Sequence, residues 1–415
     1  MMHRYLSIID ILKFASENHS LSEVVSLRTE GDMHRYNYTD CLSRVCKLAN
    51  ALVGLGIKKG DRIATLAWNG YRHLELYYGI SGIGAVCHTI NPRLSPEQML
   101  YIIEHAGDRL LFVDTTFVPI IEKLIPKLPK NLVIIVMASS DDSSTLSDNF
   151  LNYEQLILES SHDIIWPELP ENTAAGLCYT SGTTGNPKGA LYSHRSTVLH
   201  ALTTSLNLGP SLGDGMKVLP VVPLFHVNAW GLPYAAPLTG TSLIFPGPNL
   251  DGASLFDLMD QENVNSAWGV PTVWLGLLEE IRKQERVPSQ FQNVVIGGSA
   301  APKSMIEEFE SLGITVCHAW GMTEMSPVGT QGFLPGSIKK ALSQDEQISK
   351  KCYQGRRVFG VDLKIVDEND NSLPHDGIAS GELYVRGNAI ISGYYKNNEA
   401  TEEAFDKEGW FGTGD

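Results

Sequence analysis

The sequence predicts an α/β protein in which two doubly wound α/β subdomains form a layered core and a small antiparallel or β-barrel-like subdomain follows. Three observations carry this. Short apolar strands alternate with amphipathic helices over the first third of the chain, and the alternation recurs from about Leu243. After Ser337 the long helices stop and turn-linked strands take over. With 415 residues and 43% hydrophobic content the chain can bury a large core.

Ile8, Ile11, Leu12 and Ala15 recur at helical spacing, and Asp10 and Lys13 interrupt the apolar run, so the N-terminus reads as a packed amphipathic helix and not a secretion signal. Leu42, Val45, Cys46, Ala49, Leu52 and Val53 share a second helical face, ended by Gly54 and Gly56. Strands follow at Arg62 to Leu66, Leu110 to Val113 and Val133 to Met137. Between the first two, a helix starts at Ser95, with Pro96 in its first turn and Gln98 at the capping-box position. In the second unit, strands at Leu243 to Phe245, Ser266 to Trp268, Val294 to Ile296 and Thr315 to Cys317 alternate with helices at Ser254 to Asp260, Thr272 to Lys283 and Pro302 to Leu312. Such alternation implies right-handed crossovers and parallel sheets covered on both faces. The two units together are expected over 1–337, and the β-rich unit, with strands at Val361 to Val366 and Glu382 to Arg386, over 338–415.

The formal charge of -15 argues against a general nucleic-acid or anionic-membrane binder. Six scattered cysteines without a C-x-x-C pair fit reduced thiols in a cytoplasmic protein. Val218 to Leu250 lacks Asp, Glu, Lys and Arg, but six prolines break it, so buried core is expected and not a membrane span.

The most informative segment is Tyr179-Thr180-Ser181-Gly182-Thr183-Thr184-Gly185-Asn186-Pro187-Lys188-Gly189. Its glycines let backbone approach an anion, its hydroxyls can donate hydrogen bonds or reach Mg²⁺, and Lys188 brings a positive charge. It is not a Walker A loop, because Lys188 is followed by Gly189. Gly54, Gly56 and Gly60 have the wrong spacing and order for a dinucleotide fingerprint and read as a turn. An arbitrary stretch rich in Gly, Ser and Thr would be a surface loop. This one resembles, residue for residue, the signature loop of the adenylate-forming superfamily, which includes acyl-CoA synthetases, amino-acid adenylation domains and beetle luciferases.

Three further motifs recur in the order that family requires. Gly297-Gly298-Ser299-Ala300 is similar to the turn on which the family lays adenine and acyl group. His318-Ala319-Trp320-Gly321-Met322-Thr323-Glu324 is similar to the motif that flanks the adenine. There the resemblance implies that Thr323 meets the α-phosphate and Glu324 holds Mg²⁺, with Thr180 a second metal ligand. Gly409-Trp410-Phe411-Gly412-Thr413-Gly414-Asp415 is similar to the motif whose aspartate binds the ribose hydroxyls. Alone, the first is an ordinary strand-to-helix turn, Glu324 a solvated acid and the last a frayed turn.

The resemblance implies attack of a carboxylate on ATP, giving an acyl-adenylate, then thioester formation with CoA. In this scheme Lys188, Thr323, Glu324 and His226 are the catalytic residues. Thr180 to Gly185, Gly298 to Ala300, His318 to Thr323 and Asp415 hold the nucleotide. Amino-acid adenylation domains carry an aspartate where this chain has His226, so an α-amino acid is disfavoured: its ammonium would be buried unpaired. His226, Val227, Asn228, Trp230 and Gly297 are expected to line the acyl site. The Asn-Ala-Trp-Gly run is similar to that of ligases for medium-chain and methylthio-propionate-type acids, and a bulky Trp230 favours short-to-medium chains. Family members continue past the ribose aspartate into a small C-terminal domain carrying a further lysine. The chain is therefore read as the large domain alone, weakly active by itself. A carrier-protein thiol acceptor and a non-catalytic ATP-binding paralogue are the alternatives, and a homodimer is the assembly that relatives suggest.

Overall fold

The computed structural model describes residues 2–140, 150–180 and 185–415. Two large sheets dominate it. The smaller has seven strands in the order Leu151–Asn152, Val133–Met137, Asp108–Asp114, Arg62–Leu66, Val86–Thr89, Ala174–Tyr179 and Gly189–Ser193, parallel except for the last pair. The larger has nine: Arg356–Arg357, Val328–Gln331, Thr315–Gly321, Asn293–Ile296, Ser266–Gly269, Lys217–Pro220, Ser242–Phe245, Glu23–Leu27 and Met33–Asn37. It is parallel in its centre and antiparallel at both ends.

The expected elements form where the sequence places them. Arg62–Leu66, Val133–Met137 and Val361–Val366 match residue for residue. Ser95 caps helix Pro96–Ala106 by accepting the Gln98 N–H at 3.2 Å, and Gln98 returns the bond to the Ser95 N–H at 3.1 Å. The charge-free run from Val218 folds as strand, turn, helix Leu232–Thr239 and strand, nearly all buried. Among the described residues no helix is long and apolar enough to cross a membrane.

Two features depart from expectation. The hairpin Glu23–Leu27/Met33–Asn37 joins the larger sheet beside Ser242–Phe245, so the N-terminal segment completes a sheet otherwise built from Lys217 onward. Strands of five residues with mixed burial give no clear period in sequence. The last unit is not a barrel among the described residues. Val361–Val366, Glu382–Gly387 and the two-residue Phe411–Gly412 form an open antiparallel sheet, too few strands to close.

The largest buried apolar cluster draws on both sheets and on the helices between them, including Leu48, Tyr77, Val218 and Trp268. Helix packing is close enough that a Cβ on Gly79 would lie 2.7 Å from Leu48. All six cysteines are free thiols.

Three histidines in this interior are held neutral. Burial lowers the pKa of His73 and His194 to about 4 and of His200 to about 3. Unfolding exposes them to water, where they regain an ordinary value near 6.5, so below that pH the unfolded chain binds more protons and stability falls as pH drops. Asp114, raised to about 7 by burial, opposes this with one proton. The net expectation is a fall in urea midpoint from pH 7 to pH 5. His194 Nδ1 accepts the Ile8 N–H at 3.1 Å, a bond an asparagine oxygen can replace. His194→Asn should therefore cut the slope by up to about 1.4 kcal/mol per pH unit, read from urea unfolding across that range. An unchanged slope would show that this imidazole titrates normally.

Candidate active site

The two sheets meet where the larger one releases its strand Lys217–Pro220. The following segment is fastened to the smaller sheet by Asn69, whose amide donates to the Pro220 and Val222 carbonyls at 2.7 and 2.9 Å and accepts the Leu224 N–H at 2.6 Å. Thr89 donates to the Phe225 carbonyl at 3.2 Å, and Tyr78 to that of Pro233 at 2.6 Å.

Between these ties the backbone turns the wrong way. Val227, Asn228, Ala229 and Trp230 have φ of 38°, 56°, 45° and 57°, and Gly231 has 84°. Left-handed conformation costs an L-residue about 1–2 kcal/mol, so four in succession persist only because the surroundings dictate them. The turn drives Trp230 against the Gly297–Gly298 backbone. A Cβ on Gly297 would lie 3.0 Å from Cη2 of Trp230 and 3.1 Å from the Ala319 carbonyl, which accounts for glycine there.

Trp230 is thereby one wall of a cavity of about 270 Å³ that also touches Thr180, His226, Val227, Gly297, Thr323 and Glu324. Asn228 is the exception among the expected acyl-site residues. It is buried behind the turn, its amide oxygen 3.7 Å from the Cys178 thiol. His226 is open to the cavity yet crowded by protein, and desolvation, then the nearby Arg93 charge, lowers its pKa, so the ring faces the cavity uncharged.

A second cavity of about 620 Å³ adjoins the first and shares Gly298, Ala319, Trp320 and Gly321 with it. Ser299, Ala300, His318 and Asp415 line it. His318 is fixed by accepting the Ala301 N–H at Nε2, 3.3 Å away. The Trp320 indole donates to Asp415 Oδ2 at 2.8 Å, and the Asp415 carbonyl accepts the Leu383 N–H at 3.0 Å, so this carboxylate is anchored between the larger sheet and the small one. Met322 completes the lining of the first cavity.

The ends of the glycine-rich loop close on each other: the Thr180 N–H donates to the Lys188 carbonyl at 2.9 Å, and the Lys188 N–H to Thr180 Oγ1 at 3.3 Å. Ser181, Gly182, Thr183 and Thr184 lie outside the described residues; Gly185 has φ of 89°. The strands Ala174–Tyr179 and Gly189–Ser193 on either side of this segment pair antiparallel. Tyr192, on the second of them, donates to the Thr323 carbonyl at 2.6 Å and so couples that strand to the Thr323–Glu324 turn.

Tyr394 is a residue that sequence reasoning missed. Its ring lies 5.2 Å below Lys188 Nζ, and its hydroxyl donates to Glu324 Oε1 at 2.7 Å. Burial and then the Glu324 charge raise its pKa, keeping the phenol a donor. Only its place in Ser392-Gly393-Tyr394, between two strand patterns, could have hinted at a packed role. Asn69 gave no signal either.

The family described as AMP-binding enzyme matches residues 14–395. Among curated relatives, the chain is 46% identical to a medium-chain-fatty-acid--CoA ligase of Ectopseudomonas oleovorans over all of this chain and 76% of that protein. It is 45% identical to a 3-methylmercaptopropionyl-CoA ligase of Ruegeria lacuscaerulensis over all of this chain and 77% of the relative. Among solved structures, the inhibitor-bound N-terminal domain of FACL13 from Mycobacterium tuberculosis superposes with a TM-score of 0.83 at 24% identity, covering 99% of this chain and 96% of that one. The anthranilate CoA ligase AuaEII in complex with anthranoyl-AMP gives 0.86 at 22% identity, covering 100% and 76%. With these similarities running the length of the chain, and the two adjoining cavities built from the expected motifs, the chain belongs to the AMP-binding enzyme family, among its AMP-forming acyl-CoA ligases.

Proposed function

We propose that this chain adenylates a short-to-medium-chain carboxylic acid, of the fatty or methylthio-propionate type, for transfer to CoA. The observation that supports it is the junction of the two cavities. The larger has polar walls and ends on an anchored carboxylate, the smaller has an indole and an uncharged imidazole, and Glu324 and Thr323 stand near the boundary. Adenosine fits the first and an acyl chain the second, which sets the reacting carboxylate beside the α-phosphate.

In the reaction a carboxylate oxygen bonds to the α-phosphorus while the bond to pyrophosphate breaks, and the thiol then displaces AMP from the acyl carbon. The residues supply position and charge. Asp415, oriented by Trp320, takes the ribose hydroxyls, and Lys188 with the loop takes the phosphates. Among the described residues no group of three His, Cys, Asp or Glu could hold a metal alone, so Mg²⁺ is read as arriving with the triphosphate. The carboxylate of Glu324 and the hydroxyl of Thr180 are the oxygen ligands a hard cation takes, and the ion would neutralise phosphate charge. Tyr394 positions Glu324. Neutral His226 admits an apolar acid and offers no counter-charge to an ammonium.

A thermal-shift panel of non-hydrolysable acyl-sulfamoyl-adenosines, from acetyl to palmitoyl with an aryl and an aminoacyl member, tests this directly. Stabilisation should peak among the short-to-medium acyl members. A flat response to all of them would refute the adenylate site.

Gly297→Ala should shorten the preferred chain. Its methyl enters the space between Trp230 and the Ala319 carbonyl, and overpacking of this kind costs about 1–3 kcal/mol, so the longest ligand tolerated by the wild type should weaken at least about fivefold while the acetyl member changes little. Equal weakening of both would separate Gly297 from the acyl wall.

Tyr394→Phe removes one charge-assisted hydrogen bond to Glu324, worth about 1.5–3 kcal/mol. Calorimetry should find a non-hydrolysable ATP analogue bound at least about tenfold more weakly with Mg²⁺ and nearly unchanged with EDTA. A loss independent of the metal would mean that the tyrosine only supports packing.

A further inference from the structure

The acyl cavity shares one lining residue, Val328, with an outward-facing groove of about 370 Å³ that lies between helix His194–Asn207 and the start of strand Val361–Val366. Among the described residues no Asp, Glu, Lys or Arg lines this groove. Its apolar surface includes Leu202, Leu206 and Phe359, which are 47%, 71% and 77% exposed. Three large apolar side chains left in one concave surface ask for an apolar occupant.

The partition is thin. His200, 2% exposed, reaches from the helix and accepts the Val328 N–H at Nε2, 3.0 Å away, while its ring would lie 2.7 Å from a Cβ on Gly231. It therefore wedges between the end of the left-handed turn that carries Trp230 and the strand that closes the cavity, and its other side faces the groove. Accepting a backbone N–H at Nε2 requires the proton on Nδ1, which faces Thr204 Oγ1 at 3.5 Å. Burial lowers the pKa to about 3, so both sides of the wall are uncharged and neither repels a hydrocarbon.

We infer that His200 and Val328 form the length stop of the acyl site, and that the groove behind them is the space which the distal methylenes of a longer acyl chain enter when this wall is opened. The inference rests on the acyl reading of the cavity. Continuity with that cavity is what selects a hydrocarbon tail as occupant.

The test compares wild type, His200→Ala, Val328→Ala, Trp230→Ala and the double variant His200→Ala/Leu206→Glu, using the acyl-sulfamoyl-adenosine series. Opening the wall should move the optimum to longer chains, each added methylene that finds apolar contact strengthening binding about fourfold. The double variant, with a carboxylate in the groove, should lose that gain. If His200→Ala does not fold, Val328→Ala opens the same wall from the strand and decides the matter. Wall variants that fold and keep the wild-type limit overturn the inference, as does a double variant that retains the gain, or a gain seen with Trp230→Ala alone. Each of these leaves the proposed function standing. Failure of every analogue to stabilise the wild type removes the proposed function, and the inference with it.

Discussion

The acyl side of the site depends on one side-chain amide. Asn69, 5% exposed, satisfies two carbonyls and one N–H of the segment that leaves the larger sheet at Pro220. A departing loop with no ladder partner would bury these groups unpaired, at a cost of about 1–3 kcal/mol each. By meeting them from the smaller sheet, Asn69 makes the seam between the sheets the place where irregular backbone is tolerated. Prolines at 220, 223 and 233 suit this, since each removes a donor that would otherwise need a partner.

With the entry fixed, the left-handed turn returns the chain into helix Leu232–Thr239, and its strain is spent on placement. It puts a large rigid indole against two glycines of another strand, so the size of the acyl cavity depends on backbone from both sides and not on rotamer choice alone. The same logic holds across the seam. Tyr192 grips the Thr323 carbonyl, Tyr394 grips Glu324 and stacks under Lys188, and Trp320 grips Asp415. Thr323, Glu324, Lys188 and Asp415 are thus each contacted by an aromatic side chain from another part of the chain. Aromatic rings with a polar tip suit this, because the ring fills the seam while the tip orients an acceptor.

Elements with strong local signals were legible in the sequence. The capping box at Ser95 and the apolar runs at Arg62 to Leu66 and Val133 to Met137 needed nothing beyond their own residues, and the four motifs carried the family. The contacts that assemble the site were not legible, since Asn69 and Leu224 are 155 residues apart, and Tyr394 and Glu324 are 70 apart. A lone Asn or Tyr has no period. The N-terminal hairpin was invisible for a related reason: five-residue strands with one exposed edge owe their pairing to Ser242–Phe245, far along the chain. Asn228 shows the opposite error. Its motif neighbours His226 and Trp230 face the cavity, but the left-handed turn rotates the amide inward, and no sequence pattern encodes that reversal.

The charge distribution bears on how an acidic chain would hold a polyanion. The residues lining the two cavities include no Lys or Arg among those described, yet they include the carboxylates of Glu324 and Asp415. A carboxylate about 4 Å from a phosphate oxygen, at the effective dielectric of a protein surface, is disfavoured by about 4 kcal/mol per pair of unit charges. Asp415 escapes this because it faces the ribose end of the proposed pose and accepts an indole N–H. Glu324 does not, since it shares its cavity with Thr180 and Thr323 at the phosphate end. Such a carboxylate is tolerable there only if a divalent cation stands between it and the phosphates, which turns a repulsion into two attractions. Lys188 alone cannot do this, because its ammonium sits over the Tyr394 ring and one positive charge does not balance a triphosphate. In the proposed pose, the placement of Glu324 is thus a physical argument for a divalent cation beside the phosphates.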